Sequence, residues 1–387
     1  MKKIIIIFML SIMIIPFNVF AVTSQENSSL LENAKSGILV EASTGEILYE
    51  KNKDEKVSIA SLTKMVAQII ILENIENGSL KWDEIVTTSS NAASMGGTQI
   101  WLTAGEKISV EDLFKGMTMA SANDATVALA ERIAGTESEF VKLMNDKVKE
   151  LGLKNTVFKN CTGLDEEGHY STAYDLSVIA RELLTHDDIL RFSSVYEDYI
   201  RKNTPNKFWI VNTNKLVRFY EGADGLKTGF TDNAGYTMAV TAKRDDMRLI
   251  AIVLGEQVSK VRNDETTELL DYGFNTYKVN LIKSKGEVVK KIKIDKGSSN
   301  EVEIVTQNDI LVLNKKSDAT VNYDTKVTVN EIELPVKKGT VIGKIEVLYN
   351  NKVIKSDNLI VGNDVEKINY FKYLFDNLKD IVNCSFF

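Results

Sequence analysis

Ser61 and Lys64 are the residues whose types and spacing first suggest covalent chemistry in this sequence. Positions i and i+3 of a helix lie on one face, so a helix here would bring the hydroxyl and the amine together. A serine attacks a carbonyl only when a neighbouring group takes its proton, and a lysine can do so only when its pKa is lowered. The pattern is common by chance, so a solvated serine and lysine remain the simpler interpretation until other parts of a site are found.

The segment that carries this pair has the pattern of a buried helix. Apolar residues recur at helical spacing after Ser61, and the pattern stops at Asn77 and Gly78, which are typical of a helix end. The spacing therefore predicts a helix whose first turn contains Ser61. The positive end of that helix would favour negative charge developing on the serine oxygen.

A second polar pair, Ser121 and Asn123, falls at a break between helical patterns. One pattern opens at Ser109 and the next runs to Gly135. Side chains at such a helix junction can point into a cleft. Further helical patterns over residues 136–152 and 172–184 give the middle of the chain an all-helical character.

A third candidate element, Lys227, Thr228 and Gly229, lies on a predicted strand. Residues 225–231, 236–241 and 249–254 read as consecutive antiparallel strands, and two more strands are predicted near the amino terminus, at residues 37–40 and 47–49. Strands at both ends of the domain with helices between them predict an α+β fold, an antiparallel sheet with a helical subdomain.

The amino terminus has the pattern of a secretory signal. Lys2 and Lys3 precede an apolar run over residues 4–15, and small or permissive residues lead to Ala21. The run is shorter than the roughly 20 residues needed to cross a bilayer. We expect residues 1–21 to be a signal peptide cleaved after Ala21, and the protein to act outside the cytoplasm.

The carboxy-terminal third differs in composition from the rest. Short β segments punctuated by glycine and asparagine over residues 279–362 predict a small all-β sandwich domain without a catalytic constellation. Residues 363–387 predict an amphipathic helix with a broad apolar face. Two alternatives stay open for it, peripheral membrane contact or packing on the β domain or on a partner.

Composition excludes several classes of function. The chain of 387 residues accommodates two domains, and its net charge of −7 without a basic run beside aromatic residues argues against nucleic-acid binding. Cys161 and Cys384 are far apart, so we expect two free thiols. His169 and His186 lack a nearby ligand pattern, so we expect no metal, no cofactor and no Ser-His-Asp relay.

The three elements occur in the order that characterises the serine acyl-transferase set of penicillin-binding proteins and β-lactamases, and the chain resembles that group. Ala122 stands where the middle element of the set has aspartate. The resemblance to the low-molecular-mass D-alanyl-D-alanine carboxypeptidases is more specific and runs from about Ser36 onward. Its further matching segments are residues 105–107, 158–164, His169, 171–176 and 223–225.

The resemblance implies a penicillin-binding/β-lactamase-like transpeptidase domain over residues 22–278, followed by the small β domain and the terminal helix. It also implies cleavage of the terminal D-alanine from peptidoglycan pentapeptide stems that end in D-Ala-D-Ala, outside the cell membrane. β-Lactam antibiotics would act as covalent inhibitors, and no cofactor is implied.

Catalytic roles follow from the chemistry of the matched residues. Ser61 is expected to attack the carbonyl carbon, and Lys64, kept neutral by desolvation and by repulsion from Lys227, to take its proton. Ser121 is expected to relay the proton to the leaving amine and Asn123 to bond the substrate amide. Lys227 is expected to supply positive field at the site.

Substrate-binding roles are expected on the strand that carries Gly229. Backbone N–H groups of Ser61 and of the strand after Gly229 would form the oxyanion hole, and a glycine permits the close approach this needs. Thr228, Thr231 and Arg248 are candidates for binding the carboxylate of the leaving group.

Two aromatic positions near these elements carry weaker expectations. Phe230 stands where some members of the family carry histidine, so any role of that histidine is not carried over to this chain. A structural role is favoured over catalysis for His169.

Two other functions are weighed against the carboxypeptidase. A β-lactamase needs a carboxylate that activates water, and no Glu-x-x-Leu-Asn pattern occurs between Asn123 and Lys227. The acidic cluster at residues 165–167 is more simply a solvated loop. A catalytically silent cell-wall binding protein would not require the combination of Ser61, Lys64, Asn123 and Lys227.

Overall fold

The structure is a computed structural model that describes residues 30–294, 297–318 and 321–368. The predicted signal peptide lies outside these ranges, as does most of the predicted carboxy-terminal helix. Within them, no helix is both long enough and apolar enough to cross a membrane.

The helices in the described ranges lie between residues 60 and 276. A 3-10 turn, Ala60–Thr63, leads directly into the first of them. They are α1 (Lys64–Glu76), α2 (Ser90–Ala93), α3 (Val110–Met119), α4 (Asn123–Ala134), α5 (Glu137–Glu150), α6 (Ala173–Leu183), α7 (Asp188–Ser193), α8 (Leu216–Phe219) and α9 (Ser259–Thr276).

The strands fall into an amino-terminal and a carboxy-terminal group. Those of the first domain are β1 (Ser36–Glu41), β2 (Ile47–Lys51), β3 (Ile85–Thr87), β4 (Lys107–Ser109), β5 (Glu197–Ile200), β6 (Phe208–Val211), β7 (Ala223–Thr231), β8 (Gly235–Arg244) and β9 (Met247–Glu256). Those of the second are β10 (Tyr277–Lys283), β11 (Val288–Lys293), β12 (Glu301–Thr306), β13 (Ile310–Lys315), β14 (Asp324–Val329), β15 (Val341–Tyr349) and β16 (Lys352–Val361).

The main sheet joins strands from both ends of the first domain. Its order is β2-β1-β9-β8-β7 with antiparallel pairing, and Ser36 of β1 lies opposite Leu254 of β9. Alternate side chains of β1 point to opposite faces, so Ile38 joins the core under the helical subdomain while Leu39 joins the core under α9. The predicted α+β fold is confirmed.

Helix α1 runs through the middle of the helical subdomain, and its residues from Lys64 to Leu72 are buried. The structure differs from the prediction at its start, because Ser61 lies in the 3-10 turn rather than in the α-helix. Ala60 has a positive φ of 48°, and the Thr63 hydroxyl donates to the Ala60 carbonyl oxygen at 2.8 Å. These features tighten the turn on which Ser61 is carried.

The carboxy-terminal domain is the predicted β sandwich. A five-stranded sheet in the order β11-β12-β16-β15-β14 and the β10–β13 pair cover one apolar core. The strand pattern missed β10, which begins at Tyr277, and β16, whose lysines and amides obscure any apolar alternation.

The residues at the start of the predicted carboxy-terminal helix are extended. Val365 forms a bridge with Val336 and Lys367 forms one with Gly297, and the Val365 side chain is buried in the β-domain core. The prediction of a helix from residue 363 is therefore wrong for residues 363–368. Its remainder lies outside the described residues.

Candidate active site

Ser61 and Lys64 meet as their spacing predicts. The Lys64 Nζ lies 2.9 Å from the Ser61 Oγ, because a 3-10 turn followed at once by α1 places the two side chains on one face. The lysine is fully buried at the amino-terminal end of α1. The pair therefore has the geometry of a nucleophile and the base that deprotonates it.

Lys64 makes two further contacts, which account for both N–H groups of its neutral form. Its Nζ lies 2.7 Å from the Asn123 Oδ1 and 2.6 Å from the Thr162 carbonyl oxygen. A neutral amine has two N–H groups and one lone pair. In that form the two acceptors use both N–H groups and the lone pair faces the Ser61 hydroxyl, whereas in the charged form the third N–H donates to the Ser61 Oγ.

The surroundings of Lys64 favour that neutral form. Burial lowers the pKa of Lys64 from its ordinary value to about 7, although the negative charge of Asp124 acts in the other direction. The predicted repulsion from Lys227 is not what lowers the pKa of Lys64; its cause is the loss of water around the amine. At neutral pH a large fraction of Lys64 is thus available as a base.

The Thr162 carbonyl comes from a turn built by Asn160. The Asn160 Oδ1 accepts hydrogen bonds from the backbone N–H groups of Thr162 and Gly163, at 3.2 and 2.8 Å. Gly163 has a φ of 83°, and a Cβ there would lie 2.0 Å from the Ala60 carbonyl oxygen. This turn packs directly against the turn that carries Ser61.

Ser121 and Asn123 lie at the predicted helix junction, between α3 and α4. Ser121 has a positive φ of 65°, which costs a residue other than glycine about 1–3 kcal/mol and persists where the surroundings impose it. The Asn123 Oδ1 contacts Lys64, and its Nδ2 donates to the Gly96 carbonyl oxygen at 2.8 Å. Asn123 is therefore held from both ends of its amide.

Gly229 brings strand β7 against the nucleophile. A Cβ on Gly229 would lie 2.9 Å from the Ser61 backbone nitrogen and 2.6 Å from the Thr237 Oγ1. Strand β7 is the edge strand of the main sheet, so its outer backbone groups face the cleft. The close approach expected for this glycine is present in the structure.

Lys227 lies two residues before Gly229 and is almost fully buried. Its Nζ donates to the Thr228 carbonyl oxygen at 3.1 Å. Burial, and after it the charges of Lys64 and Arg262, hold the pKa of Lys227 well below its usual range. A carboxylate brought beside Lys227 would restore its positive charge.

The two threonines of β7 have internal partners. The Thr228 Oγ1 donates to the Thr213 Oγ1 at 2.7 Å, and the Thr231 Oγ1 donates to the Asp165 Oδ1 at 2.7 Å. Asp165 also accepts from the Ser58 hydroxyl at 3.2 Å. Asp165 lies in an exposed loop, as predicted, and it also ties the segment before Ser61 to the end of β7.

Arg248 is not placed among the site residues by the structure. Its Nη1 and Nη2 donate to the two carboxylate oxygens of Asp224 at 2.7 and 2.8 Å, and its Nη1 also donates to the Thr241 hydroxyl. Both arms of the guanidinium are engaged in a two-point ion pair. We therefore leave Arg248 out of the substrate-binding residues.

His169 has the structural role that the sequence favoured. Its Nδ1 accepts the backbone N–H of Lys159 at 3.2 Å, so the proton is on Nε2, which donates to the Thr63 Oγ1 at 2.7 Å. Burial lowers its pKa to about 4. The histidine is neutral at pH 7 and supports the turn that contains Thr63 and Ser61.

Three residues that contribute to the site were not predicted from the sequence to do so, namely Asn160, Thr162 and Asp165. Thr162 acts through its carbonyl oxygen, which no side-chain pattern reveals. The Asn-x-x-Gly spacing at residues 160–163 is typical of a turn and was the available signal.

The fold and the Ser61–Lys64 pair define a serine acyl-transferase of the penicillin-binding class. A family model described as D-alanyl-D-alanine carboxypeptidase matches residues 22–258, and one described as penicillin-binding protein 5, C-terminal domain matches residues 277–367. The chain belongs to this D-alanyl-D-alanine carboxypeptidase family.

Similar curated proteins and solved structures agree. The D-alanyl-D-alanine carboxypeptidase DacF of Bacillus subtilis is 41% identical over 384 residues, 98% of this chain and 99% of that one. DacA of Escherichia coli is 32% identical over 90% of this chain and 87% of its own length. Penicillin-binding protein 5 of Haemophilus influenzae superposes with a TM-score of 0.73 at 30% identity, over 87% of this chain and 98% of that one. The protein is accordingly a serine-type D-Ala-D-Ala carboxypeptidase.

Proposed function

We propose that this protein removes the terminal D-alanine from peptidoglycan stem peptides ending in D-Ala-D-Ala, through an acyl-enzyme on Ser61. The observation that carries the proposal is the contact between Lys64 and Ser61, because a neutral Lys64 bonded to Asn123 and Thr162 turns its lone pair to the Ser61 proton. Lys227, Thr228 and Gly229 supply the wall against which the peptide is held.

Acylation begins when the Ser61 oxygen attacks the carbonyl carbon of the D-Ala-D-Ala bond and its proton passes to Lys64. The tetrahedral oxyanion is bound by the Ser61 N–H and a backbone N–H of β7 beyond Gly229. The proton then moves through the Ser121 hydroxyl to the nitrogen of the leaving D-alanine, and the C–N bond breaks. Asn123 bonds the peptide amide while it anchors Lys64.

Deacylation uses the same base, and its steps reverse those of acylation with water in place of the leaving amine. Water attacks the ester carbon, its proton passes to Lys64, and the Ser61–acyl bond breaks with return of the proton to Ser61.

The D-alanine that leaves during acylation carries a carboxylate, which Lys227 and Thr228 bind. A carboxylate beside Lys227 raises the pKa of this lysine and so restores its positive charge.

β-Lactams are proposed to acylate the same serine. Penicillin-Binding Protein D2 of Listeria monocytogenes, solved in an ampicillin-bound form, is 35% identical over 62% of this chain and 98% of that one, with a TM-score of 0.58. Two acidic residues of the cluster at 165–167 are engaged, since Asp165 accepts from Thr231 and Glu166 accepts from Asn160. These exposed carboxylates contact Thr231 and Asn160 rather than Ser61 or Lys64, so we expect a long-lived adduct rather than β-lactamase turnover.

The proposed location is outside the cytoplasmic membrane after cleavage at Ala21. The amphipathic pattern that follows residue 368 supports peripheral contact with that membrane. Truncation after residue 368 tests this contact, because it keeps Val365 and Lys367 in their β bridges. The full mature chain should sediment with vesicles of bacterial lipid and the truncated chain should not; equal sedimentation would contradict the membrane contact.

Mass spectrometry of the mature protein tests the catalytic proposal. Incubation with benzylpenicillin should add one drug mass on Ser61, and incubation with a diacetyl-Lys-D-Ala-D-Ala peptide should release D-alanine. Ser61→Ala should lose both reactions, whereas Ser94→Ala, at an exposed serine bonded to Asn91, should keep both. An adduct on another residue in the wild type, or acylation of Ser61→Ala, would contradict the mechanism.

A further inference from the structure

A group of metal-ligand side chains lies where α1 meets the end of α6, away from the active site. One ligand atom from each of Glu73, Glu182 and His186 lies within 4.8 Å of the others, the one such group found in the described ranges. Helix α1 rises about 1.5 Å per residue, so Glu73 is about 14 Å along its axis from Lys64. This cluster takes no part in the chemistry proposed for Ser61.

His186 carries the observation that points to a ligand. Its side chain is only 7% exposed, and its Nδ1 lies 2.8 Å from the Glu76 Oε1. Its Nε2 is buried and has no hydrogen-bond partner within the described part of the chain. A buried ring nitrogen without a partner is costly, and a bound cation would satisfy it.

The contact with Glu76 has the form that prepares a histidine to bind a metal. A carboxylate that accepts the Nδ1–H fixes the tautomer, so that Nε2 carries a lone pair and no proton. The ring is then a neutral donor for a cation. A structural histidine would instead be expected to have a partner at both nitrogens, as His169 does.

The charges around His186 also favour a cation. Glu73, Glu76 and Glu182 contribute three carboxylates at this junction, and the cation bonded to Glu73 is Lys147, with its Nζ 2.7 Å from the Glu73 Oε1. Lys147 is shared with Glu150, at 2.8 Å from its Oε2. The second oxygen of Glu73 remains for a metal, and negative charge still exceeds positive charge.

We propose that Glu73, Glu182 and the Nε2 of His186 form a binding site for a divalent transition-metal ion of the Zn²⁺ type, with Glu76 orienting the histidine. Tetrahedral zinc with bonds of about 2.1 Å places its ligand atoms about 3.4 Å apart. To reach this spacing, the half-buried carboxylates of Glu73 and Glu182 would rotate toward His186. The fourth position is open to water because both glutamates are partly exposed.

The donor set selects among cations. A nitrogen donor with two carboxylates suits Zn²⁺ or its neighbours in the transition series, whereas Ca²⁺ and Mg²⁺ prefer all-oxygen sites. The bound ion would join α1, which begins beside the nucleophile, to the turn after α6. Its role is therefore structural, and we expect tighter attachment of these two helices when it binds.

Zinc binding to the full mature chain, first stripped with a chelator, tests the site. Equilibrium dialysis against Zn²⁺ should give one tight site per chain, with no displacement by millimolar Mg²⁺ or Ca²⁺. His186→Gln should abolish that site, Glu182→Gln should weaken it, and Glu76→Gln should reduce affinity about 10–100-fold. Glu150→Gln is the matched control, because Glu150 contacts Lys147 but lies outside the ligand set. The affinity of this variant for Zn²⁺ should equal that of the wild type.

Thermal unfolding gives a second measurement. Zn²⁺ should raise the Tm of the wild type and of Glu150→Gln but not that of His186→Gln. Glu182→Gln changes a partly exposed side chain, so it tests the proposal even if His186→Gln folds poorly. If Zn²⁺ binds wild type and Glu182→Gln equally, or does not bind the wild type, the proposal is wrong and His186 is only the ion-pair partner of Glu76.

Discussion

Gly163 lies so close to Ala60 that a side chain on the glycine would overlap the Ala60 carbonyl oxygen, at a Cβ–O distance of 2.0 Å. The contact presses the Asn160 turn onto the turn that carries Ser61. It thereby brings the Thr162 carbonyl to the Lys64 Nζ. The position of the catalytic base depends on packing between two backbone segments about 100 residues apart.

Gly163→Ala should therefore damage catalysis by displacing Ser61 and Lys64. We expect the rate constant for acylation by penicillin to fall at least about 100-fold, since a shift of about 1 Å at reacting groups has effects of that size. Stopped-flow acylation measures this. Gly168→Ala is the control, because Gly168 also has a positive φ but a Cβ there meets only the flexible Lys159 side chain. Equal losses of acylation rate in both variants would mean that backbone strain at a positive-φ glycine, and not the Ala60 contact, causes the loss.

The rate of acylation should depend on pH through Lys64. The base must be neutral, and its pKa is lowered to about 7, so kcat/KM should rise as pH increases and level off above about 7. A Lys64→Ala variant should lose nearly all activity at every pH. A wild-type profile that is flat from pH 5 to 9 would contradict the assignment of Lys64 as the base.

Gly229→Ala should impair the oxyanion site without unfolding the protein. The added Cβ would meet the Ser61 backbone nitrogen at 2.9 Å and the Thr237 hydroxyl at 2.6 Å, so β7 must move away from Ser61. We expect acylation to slow about 100–1000-fold, the usual cost of losing one oxyanion donor. Gly96→Ala is the control, since a Cβ there has nothing within 4 Å. Unchanged acylation in Gly229→Ala would contradict the proposed oxyanion hole.

His169 should make stability depend on pH without making catalysis depend on it. Its pKa is about 4 when folded and near 6.5 when unfolded, so the unfolded chain binds more protons between these values. The free energy of unfolding should fall by up to about 3 kcal/mol as pH falls from 6.5 to 4. Urea unfolding of wild type and His169→Gln measures this, and the variant should be less stable at pH 7 with a weaker pH dependence. A change in the pH profile of kcat/KM at matched stability would instead identify His169 as a catalytic base.

Arg248→Ala should affect stability and leave substrate binding nearly unchanged. The variant leaves the Asp224 carboxylate without its partner in a partly buried position, which we expect to cost about 1–3 kcal/mol. KM and kcat for D-Ala-D-Ala peptides should stay within about twofold of wild type. A double-mutant cycle with Asp224→Ala should show coupling between the two residues. A large rise in KM for Arg248→Ala alone would restore Arg248 as a carboxylate-binding residue.

The sequence allowed some contacts to be predicted because they are local. Ser61 and Lys64 are three residues apart, so any helical conformation brings them together. Asn123 was found through a break in helical periodicity, and Gly229 through its place on an apolar strand. Each of these signals lies within about ten residues of the side chain concerned.

Other contacts could not be predicted because they arise from tertiary packing. The Lys64–Thr162 bond joins residues 98 apart and uses a backbone oxygen. No partner for Arg248 can be predicted from the sequence, but the register of β8 with β9 and β7 places Asp224 beside it. Glu73 and His186 showed no ligand spacing along the chain, since Glu73 lies in α1 and His186 in the turn after α6.

The pairing of β1 with β9 also determines when the domain can fold. Ser36 lies opposite Leu254, so the ribosome completes β1 about 200 residues before its neighbour in the sheet exists. At 5–20 residues per second this delay is roughly ten to forty seconds. During it the apolar β1–β2 hairpin has an open edge that can pair with other chains. A newly made chain is therefore exposed to such pairing until β9 is synthesised.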